Sequence, residues 1–246
     1  GLGDVYKRQA SATQWGISSA SVVLEALTEA GMATELCLVY PALAATPKVG
    51  PVAAGQDIYW RLLVGQQPLP VQRGGGQFDQ NYLDYYSIRA VDALEAGRTA
   101  FDCGSEWSNA PLWYTSGSAV SKVLDALSIS AVLTESRVTS AASAAATSAS
   151  SGSDAVLTVP ALLPQEEDGK LPDATAPDAM NVQVCFDDNN ATGFAYDPDS
   201  GLYRMLHADG TPQLDANNGQ QAGFDNLLVL FLSLIHISEP TRLGMI

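Results

Sequence analysis

Ser18-Ser19-Ala20-Ser21-Val22-Val23-Leu24-Glu25-Ala26-Leu27-Thr28-Glu29-Ala30-Gly31 is followed almost at once by Glu35-Leu36-Cys37-Leu38-Val39-Tyr40, and the reading of this pair decides the fold. Ser18 or Ser19 can cap a helix, Val22, Val23, Ala26 and Leu27 recur at helical spacing, and Gly31 can close it. Glu35 to Tyr40 is a short apolar run stopped by Pro41, which reads as a buried strand. A helix leading into a strand sets the expectation of alternating α and β elements.

The chain downstream keeps that alternation. Gly50-Pro51 can open a helix over Val52 to Val64. Pro70 to Arg73 is a short strand running into Gly74-Gly75-Gly76, and Asn81 to Leu94 and Ser118 to Ser128 read as helices. The fold class expected for residues 10–137 is therefore an α/β layer arrangement. Residues 139–153 are all Ala, Ser, Thr or Gly, and Pro164 to Asp178 is rich in proline and acids. Such a stretch has little large side chain to bury against its ordering entropy. Residues 138–180 thus read as a linker or insertion, with Val156 to Leu163 a short strand inside it. Beyond it, Val182, Val184 and Phe186 alternate. Gly193 to Tyr196 and Leu202 to Leu206 flank the turn Asp197-Pro198-Asp199-Ser200-Gly201, and Asp215 to Gly219 makes another turn. Asn226 to Phe231 reads as a strongly apolar strand. The expected C-terminal part, 181–231, is a truncated antiparallel β domain.

The two ends carry a signature of their own. Residues 1–9 and 232–240 can be encoded by opposite strands of the same DNA: CTG TCT CTT ATA CAC ATC TCC GAG CCC reads as Leu232 to Pro240. Its reverse complement reads as Gly1 to Gln9 without a mismatch. Residues 1–9 and 232–246 are accordingly expected to derive from a sequencing adapter, with His236 excluded from any site. On that reading any leader peptide lies outside this sequence.

The 246 residues carry 27 acidic and 12 basic side chains, a formal net charge of −15, and the mean hydropathy is +0.04. That balance argues against a nucleic-acid groove or a polybasic membrane patch, both of which need excess Lys and Arg. The longest apolar run, Leu227 to Leu232, is far short of a membrane span.

The order of the pieces resembles the YerB-like family, uncharacterised bacterial lipoproteins with a two-part domain of unknown function. The resemblance is carried by Trp15 to Gly31, by Val49-Gly50-Pro51-Val52, by Gly74-Gly75-Gly76, and by Ala110-Pro111 with Tyr114-Thr115-Ser116. In the C-terminal part it is carried by Tyr196-Asp197-Pro198, Tyr203-Arg204, Asp215 and Asn226 to Val229. It implies export, lipid anchoring outside the cytoplasmic membrane, and an envelope polymer or protein as partner. The chain departs from the family's polar positions. Ala53-Ala54-Gly55-Gln56 stands where the family has arginines, Glu35 replaces another arginine, Gln72 or Arg73 a histidine, and Leu112-Trp113 a His-Asn pair. A kept scaffold with lost polar groups implies a diverged, non-catalytic binding module.

Candidate chemistry is sparse. On a helix, Glu25 and Glu29 would share one face and form a carboxylate pair suited to general acid–base work, as in a hydrolase acting on cell-wall material. The plainer reading is a solvated helix edge. The Gly74-Gly75-Gly76 turn could offer backbone N–H groups to an anion, beside Arg73, although it matches no phosphate-loop or dinucleotide pattern. Trp113 and Tyr114, in an aromatic loop running from Phe101 to Tyr114, are candidate ligand contacts. His207 lacks partners at ligand spacing, and no metal site or cofactor is expected. The Asp-rich turns at 187–190, 197–201 and 215–219 fall short of the EF-hand pattern. Asn190-Ala191-Thr192 fits a glycosylation sequon. Cys37, Cys103 and Cys185 form no redox or zinc motif, and Cys37 and Cys185 are expected to be small buried residues.

Overall fold

In a computed structural model of the chain, which describes residues 13–28, 33–66, 68–103, 112–129 and 178–231, the decisive segment is a strand. Ile17–Ser19 forms a single 3-10 turn, and Val22–Leu27 (β1) pairs antiparallel with Thr34–Val39 (β2), Val22 opposite Val39 and Leu27 opposite Thr34. The expected helix from Ser18 to Gly31 is corrected, and with it the shared helix face of Glu25 and Glu29. Packing supplies the reason. Leu24, Ala26 and Cys37 pack against a helical layer, while Val23, Leu36 and Leu38 pack against the C-terminal sheet. A strand buried on both faces loses its polar alternation and becomes a continuous apolar run, which periodicity cannot tell from a helix.

The helical layer comes from Asp57–Leu63 (α1) and Gln77–Tyr85 (α2). In α1, Asp57 sits in the first turn and accepts from Arg61 Nε one turn on at 2.8 Å, which favours the helix from both its dipole and its side-chain pair. The expected start at Val52 is five residues too early because Val52 and Gly55 donate to the carbonyls of Trp113 and Gly74. Those bonds hold residues 52–55 extended. Val71–Gln72 (β3) pairs in parallel with Val91–Asp92 (β4). The helix expected from Asn81 to Leu94 is thus broken: Ser87 adopts a positive φ of 53°, Val91 joins β3, and Ala93–Ala96 (α3) begins anew with Asp92 as its cap. The last helix of this part is Gly117–Ser121 (α4), capped by Ser116. Its expected continuation to Ser128 is a run of turns, begun where Ser121 Oγ donates back to the Gly117 carbonyl, a bond that competes with the helix.

The C-terminal part is a four-stranded antiparallel sheet of Asn181–Cys185 (β5), Ala191–Asp197 (β6), Leu202–Leu206 (β7) and Gly223–Phe224 (β8), in that order. The hairpin between β6 and β7 turns as expected, with Gly201 at φ +71° donating to Asp197 O at 2.8 Å. Asn226 to Phe231 is not a strand: only Leu227 reaches the core, and Phe231 is 96% exposed. The pairing edge is used two residues earlier, at Gly223–Phe224. Cys185 lies on the exposed face of β5 rather than in the core.

The core has a layered logic. Ile17, Phe194, Met205 and Ala222 are buried where the sheet meets the β1–β2 hairpin. Ile58, Tyr59, Trp60, Tyr82 and Leu83 are buried on the hairpin's other side. A third cluster around Val91, Ala93, Phe101, Val120 and Leu124 closes the α/β part. α helices and short strands in the N-terminal part and an antiparallel sheet in the C-terminal part agree with the fold class read from the sequence. Glu29, residues 1–12, 104–111, 130–177 and 232–246, and with them both ends, most of the linker and its Val156 to Leu163 strand, lie outside the described residues.

Candidate functional site

The register of β1 and β2 disposes of one carboxylate arrangement directly. Glu25 stands opposite Leu36, and Ala26 opposite Glu35, so Glu25 and Glu35 leave opposite faces of the hairpin. Glu25 faces the sheet, where Thr192 Oγ1 donates to its Oε1 at 2.8 Å. Burial raises its pKa, and hydrogen bonds from Thr34 and Thr192 partly offset that. Glu35 faces α1. Burial raises its pKa as well, offset in part by Gln56, whose amide lies 3.4 Å away. On this same side Tyr59 donates its hydroxyl to the Glu35 carbonyl at 2.6 Å, and burial pushes the Cys37 thiol up to about 12. Each group is committed to holding a layer in place.

Two other aspartates, which the sequence did not single out as site residues, are fully buried. Asp79, in the first turn of α2, accepts from the Trp60 indole N–H and from Gln72 Nε2. Gly55 and Gly75 press their backbones against it, and a methyl group at either position would overlap the Asp79 carboxylate. Burial raises the Asp79 pKa more than its two side-chain donors lower it. Asp215 accepts from the amides of Gly16 (3.0 Å), Ser18 (2.9 Å) and Asn217 (2.8 Å), and from Ser18 Oγ (2.6 Å). Burial alone would raise its pKa, but the Ser18 hydroxyl and these amides outweigh burial and hold it below the usual carboxylate range. Asp215 ties the C-terminal part to the start of the α/β part. Tyr40 completes the joint by donating to the Gly16 carbonyl at 2.8 Å.

The glycine turn is already filled from within. The Gly74 amide donates to both carboxylate oxygens of Asp92, at 2.9 Å each, and Asp92 also caps α3 through the Leu94 amide. Gly74 φ is +68°, the left-handed geometry that turns the amide toward Asp92. The anion that the turn was expected to offer a place for is this chain's own. Gly75 serves close packing on Asp79. The turn aspartates behave alike: Asp187, Asp197 and Asp209 accept from amides two or three residues on, and Asp197 also binds Arg204 at 3.1 Å. His207 lies in the turn after β7, its amide bonded to Thr211 O.

Arg73 and Trp113, distant in sequence, are brought together. Arg73 follows β3, fixed by its amide to the Ala53 carbonyl. Trp113 is fixed by its carbonyl, which accepts from Val52. The guanidinium carbon lies 6.0 Å from the Trp113 ring centroid. Neither Arg73 Nε nor Trp113 Nε1, both shut off from solvent, has a hydrogen-bond partner. Tyr114 turns the other way, edge-on to Trp15, and Lys48 Nζ lies over both rings at 3.9 and 4.6 Å. The candidate contacts therefore split: Arg73 and Trp113 meet, Gly74 and Gly75 serve internal acids, and Tyr114 belongs to an aromatic pair covered by lysine. A hollow of about 740 Å³ on the outer face of the sheet is lined by Asp197, Arg204 and Gln220, and none of the sequence candidates reaches it.

The class of protein this defines is a two-part domain, an α/β part and an antiparallel sheet that share a core through one two-faced hairpin. Residues 5–130 match the family model described as the N-terminal domain of a protein of unknown function (DUF3048), and residues 182–243 match its C-terminal domain. The chain belongs to this family, in agreement with the YerB-like resemblance. Its fold is similar to the crystal structure of YerB protein from Bacillus subtilis, with a TM-score of 0.60 at 20% identity over 87% of this chain. The chain covers 62% of that structure's chain. No curated protein matches it.

Proposed function

We propose that this chain is a non-catalytic binding module of the cell envelope, carried outside the cytoplasmic membrane by a lipid anchor, which engages an envelope polymer or protein through Arg73 and Trp113. The observation that carries the reading is that Arg73 has no counter-ion among the described residues and stands beside Trp113, whose buried indole N–H has no partner there. In a chain of net charge −15, an arginine left without an acid has a reason to be met from outside. The buried carboxylates, by contrast, are bound to the protein's own donors. Anchoring and localisation follow the family resemblance.

Sedimentation of the chain with isolated bacterial cell-wall sacculi tests the reading. Saturable co-sedimentation that falls about tenfold in an Arg73→Ala, Trp113→Ala double variant of unchanged thermal stability supports it. Release of soluble wall fragments by the wild type, abolished in Glu25→Gln, overturns it in favour of a hydrolase.

A further inference from the structure

Among the described residues four buried polar atoms lack a partner: the Oε1 atoms of Gln66 and Gln72 and two N–H donors, Arg73 Nε and Trp113 Nε1. The two donors lie in neighbouring side chains. Buried N–H groups are almost always paired, because leaving one unmade costs about 1–3 kcal/mol. Arg73 Nε and Trp113 Nε1 both break that rule, in neighbouring side chains. No hydrogen bond or ion pair to the Arg73 guanidinium is present among the described residues. The contrast with Trp60 is instructive: its indole N–H, equally buried, meets the Asp79 carboxylate.

We infer that Arg73 Nε and Trp113 Nε1 are the two halves of a carboxylate-binding site, the ligand's carboxylate supplying to this pair what Asp79 supplies to Trp60. This rests on the binding reading above and names the chemistry its ligand must present. One delocalised cation and one neutral donor match a singly charged, planar acceptor. A phosphate fits less well. Phosphate sites draw on several backbone amides, and the nearest such amide, that of Gly74, is held by Asp92, whose own negative charge opposes a dianion. Among envelope chemistries, this points to free carboxyl groups on peptides or uronic sugars.

The test is ¹H–¹⁵N NMR of the wild-type full chain, which needs no variant to fold, following the indole and arginine Nε–H signals. Sodium acetate and glutarate are titrated against inorganic phosphate and chloride at equal ionic strength. The expected result is a saturable downfield shift of one indole and one arginine Nε–H with the carboxylates. The indole signal is assigned to Trp113 by its loss in Trp113→Phe, and the Trp60 signal stays still as an internal control. In Arg73→Gln the carboxylate response weakens about tenfold or more, the loss of one charge-assisted bond. Absence of a shift at Trp113, or an equal or larger one with phosphate, overturns the inference. Binding of sacculi that survives Arg73→Gln also overturns it while leaving the envelope-binding reading standing, and a carboxylate shift without any sacculus binding does the reverse.

Discussion

Asp79 and Asp215 are both fully buried, yet they end in opposite electrostatic states. Asp215 is surrounded by three backbone amides and a hydroxyl, all donors fixed by the fold, and its pKa falls. Asp79 receives two side-chain donors, an indole and an amide, beside glycine backbones, and its pKa rises. Burial opposes the charge in both, and the neighbouring Asp57 and Asp92 carboxylates push Asp79 up further. The number and fixity of the donors decide which way the balance falls. The lesson extends to the proposed site: an internal acid with a full set of donors serves the fold, whereas Arg73 Nε and Trp113 Nε1 find no acceptor among the described residues, which is why the proposed ligand is placed there.

The comparison breaks most completely at Asp215. Asp215→Ala strands four donors and unlinks the two parts, and a loss of about 3–4 kcal/mol in urea-unfolding stability is expected. A loss below about 1 kcal/mol shows that the joint does not depend on it. Next is Gly75→Ala, which drives a methyl into the Asp79 carboxylate. About 2–3 kcal/mol is expected from the overpacking, read by the same denaturation curves.

The two acids also oppose one another in pH dependence. The Asp215 contribution is fully present above its unfolded pKa of about 3.9 and is lost as pH falls through its lower folded value. The Asp79 contribution runs the other way: it is fully present below about pH 3.9 and is lost as pH rises through its raised folded value. Asp79→Asn should therefore gain on the wild type as pH rises from acid to neutral, in stability curves measured at a series of pH values. A constant offset across that range refutes the raised pKa. The smallest effect belongs to Glu25→Gln. Its amide oxygen still accepts from Thr192, and its neutral form matches what burial favours, so a change within about 1 kcal/mol is expected from thermal unfolding.

Much of the C-terminal sheet was legible because one face of each strand meets water. Val182 and Val184 alternate with exposed residues, and Asp197-Pro198-Asp199-Ser200-Gly201 spells its own turn. The β1–β2 hairpin was half legible. Glu35 to Tyr40 read correctly as a strand, but Val22 to Leu27 read as a helix because it is apolar toward both neighbours. The site was legible in its members and not in their grouping. Arg73, Gly74, Gly75, Trp113 and Tyr114 all stood out, but only contact across the fold separates Arg73 and Trp113 from the other three. Asp79 gave no signal, since an acid in a helix's first turn reads as a dipole partner, and Asp215 stood out only as a turn residue and a carrier of the family resemblance, not as a buried joint.

Sequence alone determined what local chemistry controls: turns where Pro and Gly fix φ, strands whose alternation reports a wet face, and an acidic net charge. Tertiary structure decided what depends on neighbours. It placed a helix-like run between two layers, where pairing with β2 satisfies its backbone and each face packs half-buried against a neighbour. It set two aspartates to opposite ionisation through their donors, and it filled the glycine turn with Asp92. It also brought Arg73 to within 6.0 Å of the Trp113 ring, with Nε and Nε1 unpaired among the described residues, a neighbourhood that no spacing in the sequence encodes because it is made between segments forty residues apart.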